Sequence, residues 1–149
     1  MSFKPELYQM CHHLLDERIA RSEQLIKEAQ KAANQESKSS VGDKYETGRA
    51  MMMLEREKGE TQLLELLKLK KVLNQINPEK ISEVCELGSL IHTTTGYFYL
   101  AISLGKLKIN NKDIFVLSPV SPLGRLLTGK KKGDTFSFNS QSVEIKLVE

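Results

Sequence analysis

The sequence predicts an α+β protein: an antiparallel coiled-coil helical hairpin over residues 1–78, then a small antiparallel β-sheet domain with one short helix over residues 79–149. Two long runs of helical periodicity, a change of texture after Pro78 and a proline-marked helix start at Ser121-Pro122 carry this reading.

Residues 6–36 contain neither proline nor glycine, and Tyr8, Cys11, Leu15, Ile19, Ser22, Ile26, Ala29 and Ala33 recur at steps of three or four. That spacing predicts a helix with one apolar face. Ser37, Ser39, Ser40 and Gly42 then interrupt the pattern as a turn. A second stripe of Met52, Leu63, Leu66, Leu69, Leu73 and Ile76 runs until Asn77-Pro78 ends it. Two helices of similar length joined by a short polar turn fold back on each other, and about 30 helical residues give a rod on the order of 45 Å. The apolar members shrink toward the turn, so the tip near residues 37–46 has little hydrophobic burial to hold it.

Beyond Pro78, the segments 84–93, 96–103 and 114–120 hold short apolar or alternating runs and read as strands, separated by Thr95-Gly96, Gly105 and Asn110-Asn111. Ser121 as N-cap, Pro122 at the first helical position and Gly129 past the end predict a short helix over 121–128. Gly133-Asp134 turns the chain into two further strands, 135–138 and 143–148.

Charge narrows the function classes. Residues 1–78 carry 13 basic and 12 acidic side chains, and residues 79–149 carry 9 and 7. Neither half has the basic excess with which phosphate-gripping proteins bind nucleic acid. Cys11 and Cys85 sit one in each half without a CxxC partner, which argues against a zinc site or a disulfide framework. No signal-like run follows Met1, and no stretch approaches the roughly 20 apolar residues of a membrane span. A cytoplasmic protein with no membrane partner is expected.

Few residues promise chemistry. Asp43 and Glu46, three apart at the start of the second helix, place two carboxylates on one side, where they suit a shared divalent cation. The same spacing is a capping box, and both roles are compatible because a carboxylate has several acceptor sites. The run 124–131 nearly spells a phosphate-binding loop, but Lys131 stands where a hydroxyl belongs and a strand follows, which rejects a nucleotide site. Lys130, Lys131 and Lys132 read as a solvated turn or a basic patch for an acidic partner. His12, His13 and His92 have no metal spacing, and Ser103, Ser118 and Ser121 read as loop serines with no base beside them.

Two separated segments nonetheless resemble one family. Residues 118–134, SPVSPLGRLLTGKKKGD, resemble the C-terminal signature of bacterial Gre-type transcription elongation and transcript-cleavage factors: S-P, a short helix, G-K and a closing acidic turn in that order. Gly42-Asp43-Lys44-Tyr45-Glu46 is similar to the G-D-x-x-E hairpin tip of the same factors. Leu126 stands where the family has a small residue and Thr128 where it has an aliphatic one, while Arg49 and Ala50 replace a further acid and a tyrosine.

The resemblance implies an FKBP-like fold for the C-terminal domain and a monomer whose partner is bacterial RNA polymerase. It implies docking at the rim of the secondary channel through Ser121, Pro122 and Leu123. It also implies that Asp43 and Glu46 help to hold magnesium shared with the polymerase active centre, so that backtracked RNA is cleaved near its nascent 3′ end. On this reading the chain is not itself an enzyme, has no cofactor of its own and binds no nucleic acid strongly by itself. The departures at Arg49 and Ala50 motivate a second expectation, a secondary-channel regulator without cleavage activity. A coiled-coil or FKBP-like scaffold unrelated to transcription is a third.

Overall fold

The computed structural model describes residues 2–37 and 42–149, with the side chains of residues 36–46 outside the description. The element order is α1 (Lys4–Ser37), α2 (Gly42–Asn74), β1 (Leu90–Thr93), β2 (Gly96–Leu100), β3 (Gly105–Ile109), β4 (Lys112–Leu117), α3 (Pro122–Leu127), β5 (Thr135–Phe138) and β6 (Gln141–Val148). This is the expected α+β arrangement: two long helices packed together, then a sheet with one short helix. Of the residues predicted to form the turn, Ser37 ends α1 and Gly42 opens α2, while residues 38–41 lie outside the described residues. The chain divides into two compact units, one of Met1–His12 with Lys71–Glu149 and the other of His13–Lys70. The first twelve residues thus belong with the sheet.

In the helical unit the buried face of α1 begins with Leu15 and Ile19 and continues with Ser22, Ala29 and Ala33. Small side chains let the opposing helix come close. At Gly59, buried in the middle of α2, a Cβ would stand 2.9 Å from Ile26 Cγ1. Polar links flank this seam: Lys70 Nζ meets Asp16 Oδ1 at 2.5 Å, and Arg56 donates to Gln30 and, at 3.0 Å, to Glu60.

The sheet unit is mixed, with strand order β3-β4-β2-β1-β6-β5. The sequence reading expects a mainly antiparallel sheet, and four of the five pairings are antiparallel; β2 and β4 run parallel, Phe98 opposite Phe115. The cause is β3, which the sequence reading does not assign. It returns through Asn110-Asn111, both at positive φ (51° and 62°), and lays β4 between itself and β2. Two consecutive positive-φ residues suit the right-handed twist of a tight hairpin. Asn139-Ser140 does the same between β5 and β6. The expected strand at 84–93 shortens to β1, with Val84 kept only as a bridge to Lys131.

One face of this sheet buries Cys85, Ile91, Leu100, Leu117, Leu127, Ile145 and Val148, with Phe98, Leu123 and Phe136 packed against them. At the opposite face Phe3 stacks edge-on to Tyr97 at 5.8 Å, and Lys112 lies 5.1 Å from the centre of the Phe3 ring. Lys4 is only 4% exposed and donates from Nζ to the Lys80 carbonyl at 2.6 Å. Burial holds its ammonium below the usual lysine range, with Glu149 and Glu86 opposing that shift. The N-terminal segment is thereby pinned to the sheet unit by a buried polar anchor at Lys4 and by the ring contacts of Phe3 with Tyr97 and His92. Among the described residues no helix is long and apolar enough to cross a membrane.

Candidate functional site

The short helix α3 is built by its first residues. Ser121 is the N-cap, extended at φ −68° and ψ 161°, with Pro122 following at the helix start. Its Oγ accepts from the Gly124 amide at 3.1 Å and donates to the Ser118 carbonyl at 2.6 Å, so one hydroxyl joins both sides of the turn. The Ser121 amide also donates to Ser118 O, at 3.1 Å. Gly124 closes the motif, because a Cβ there would lie 2.0 Å from the same carbonyl. Thr128 ends the helix, its Oγ1 donating to Gly124 O at 2.7 Å. Ser121 is therefore the N-cap that the sequence predicts, and its hydroxyl orients the helix.

This turn forms part of the wall of an open cavity of about 730 Å³. Phe98, Phe115, Pro122, Leu123 and Phe138 supply apolar surface, with Ser121, Asn139 and Gln141 offering hydrogen-bonding groups beside it. None of the lining residues is ionisable. Phe115 is 45% exposed and the neighbouring Val120 70%, so apolar surface faces solvent in and near the cavity. Such a surface suits desolvated contact with an apolar group of a partner.

No family model, curated protein or solved structure matches this chain.

The site residues read from the sequence therefore divide in two. Ser121, Pro122 and Leu123 come together on the wall of this cavity. Asp43 and Glu46 fall within the bounds of α2, near its start at Gly42, and their side chains lie outside the described residues. Arg49, one turn further on, is exposed.

The remaining candidates are held by structure. Lys131 donates its amide to Asp134 Oδ2 at 2.8 Å, and Lys130 O accepts from the Cys85 amide at 2.8 Å, which makes residues 130–134 a braced turn. His12 packs edge-on to Tyr8 at 4.6 Å, His13 meets Glu17 at 3.1 Å and His92 meets Glu149 Oε2 at 2.5 Å. Burial pushes the thiol of Cys11 up to about 12 and that of Cys85 to about 11, where Asp134 adds to the effect, so both are protonated near neutrality. Among the described residues no group of three or more His, Cys, Asp or Glu side chains is placed to hold a metal ion.

Sequence reasoning missed the aromatic walls Phe98, Phe115 and Phe138. Alternation in GYFYL and KDIFVL marks the first two as facing one side of a strand, but their adjacency needs the parallel register of β2 with β4.

Proposed function

We propose that this chain is a transcription elongation factor that binds bacterial RNA polymerase at its secondary channel and stimulates cleavage of backtracked RNA through Asp43 and Glu46. The observation that carries the reading is the setting of Ser121, Pro122 and Leu123. The segment resembling the docking signature of Gre-type factors is a rigidly capped helix start beside a cavity with exposed apolar walls and no charge. That setting supports docking of a protein partner.

The helical part supports the second half of the proposal by its dimensions and donor chemistry. Helices of 34 and 33 residues are each about 50 Å long, at 1.5 Å of rise per residue. Two carboxylates at i and i+3 are hard oxygen donors of the kind magnesium takes alongside retained waters and other ligands. Asp43 and Glu46 would complete the shell of an ion that the polymerase holds loosely; when bound, that ion supplies charge stabilisation at the reacting oxygens. The part played by this chain is to present the carboxylates to that ion.

Exposed Arg49 favours a second reading. A positive charge one turn from Glu46 lowers the affinity of the carboxylates for a cation, which suits a channel occupant that regulates without cleavage.

Stalled, backtracked polymerase complexes given this protein and magnesium are expected to release short 3′ RNA fragments. Asp43→Asn with Glu46→Gln abolishes release while binding persists, and Leu123→Ala weakens binding. Binding with inhibited nucleotide addition and no RNA shortening overturns the cleavage claim in favour of the regulator. Failure to bind core polymerase overturns both.

A further inference from the structure

α2 carries a second line of side chains besides the one that meets α1. Met53, Glu57, Glu60, Leu64, Leu67 and Lys71 follow one another at steps of four and three, the spacing of a coiled-coil seam. Leu64 is 61% exposed and Leu67 45%, whereas Leu63 and Leu66 beside them are half-buried. Acids precede the two leucines and a base follows them. Glu60 bonds Arg56 of its own helix, while Glu57 and Lys71 have no ion pair among the described residues.

The geometry points to a second copy of this chain as the occupant of that seam, with two α2 helices antiparallel across a twofold axis. Leu64 of each copy packs on Leu67 of the other. Because Glu60 lies four residues before Leu64 and Lys71 four after Leu67, the same register sets Glu60 of one copy against Lys71 of the other, twice by symmetry. A parallel pair would instead oppose Glu60 to Glu60 and Lys71 to Lys71. The order of charge along the line thus makes it self-complementary in the antiparallel direction and not in the parallel one. The contact covers only a few helical turns, small beside a permanent dimer interface, so association depends on concentration and the monomer expected from the sequence prevails when dilute. This surface is separate from the cavity beside α3, and its test involves no polymerase.

Sedimentation velocity of the full chain over a concentration series at low salt tests the inference, with circular dichroism to confirm unchanged helicity in each variant. The wild type is expected to move from monomer toward dimer. Glu60→Lys and Lys71→Glu each weaken association by about tenfold or more, and their combination restores it to within about threefold. Leu64→Gln with Leu67→Gln removes association. The inference is overturned by a wild type that stays monomeric up to about 1 mM, by association that survives loss of both leucines, or by a charge swap that restores nothing.

Discussion

The two units hold themselves together with different kinds of side chain. The sheet unit fully buries branched and aromatic groups, among them Ile91, Tyr99, Leu100, Ile102, Ile114, Leu127 and Ile145. The helical unit has Leu15 and Ile19, but further along α1 its buried positions are Ser22, Ala29 and Ala33, opposite a helix that contains Gly59. At about 0.8 kcal/mol per buried methylene, the exchange of leucine for alanine along a seam lowers the stabilisation per turn severely. Close approach compensates in part through backbone contact. Strength in the sheet unit thus comes from filled volume, and in the helical unit from fit. Hydrogen exchange should accordingly be slower in β1, β2 and β4 than in the part of α1 around Ala29 and Ala33.

Substitutions can break or sharpen that contrast. The largest effect is expected at Gly124, where a methyl group meets the backbone oxygen of Ser118, which cannot swing aside. Gly124→Ala should destabilise the sheet unit by about 3 kcal/mol in urea titration and open the turn that holds Pro122 and Leu123 beside the cavity. A loss under about 1 kcal/mol would show that α3 is not tightly seated.

A smaller effect comes from pH. Burial pushes the folded thiols of Cys11 and Cys85 up to about 12 and about 11, above the ordinary thiol value of 9.0. The folded state therefore retains protons that the unfolded chain releases, and these thiols make stability fall as pH rises above 9. Each contributes at most about 1.4 kcal/mol per pH unit until its folded pKa is passed. Cys11→Ala and Cys85→Ala should each reduce the slope of unfolding free energy against pH between 9 and 11; an unchanged slope would contradict burial as its cause.

The smallest is at Gly59. Alanine gains about 1 kcal/mol of helix propensity, but its Cβ would stand 2.9 Å from Ile26 Cγ1, too close unless the Ile26 side chain shifts. Gly59→Ala should change stability by less than about 1 kcal/mol in either direction, whereas Gly59→Leu, which no small shift accommodates, should cost about 1–3 kcal/mol. Tolerance of leucine would mean that the helices are less closely packed than described.

Legibility in the sequence followed the locality of the cause. The helices were readable because a period of three or four repeats across thirty residues, and Ser121-Pro122 because capping is a matter of neighbouring atoms. β3 was not, since Gly105 reads as a separator and Lys106-Leu107-Lys108-Ile109 is a brief alternation with one end in a tight turn. The parallel β2 and β4 pairing, and with it the meeting of Phe98 and Phe115, depends on which strand lies beside which, and no local spacing records that choice. The cavity was hidden for the same reason, because Phe138 reaches it from the last hairpin and Leu123 from α3. The docking residues were thus legible one by one, and the hollow they border was not.

Assigning the first twelve residues to the sheet unit has a consequence for how the chain is made. Lys4 waits on the carbonyl of Lys80, Phe3 on Tyr97, and β1 on β6, all of which come later in the polypeptide. A ribosome delivers each of these partners after the segment that contacts it, so this unit closes only once β6 has emerged. Residues 79–149 expressed alone would lack Phe3 and Lys4.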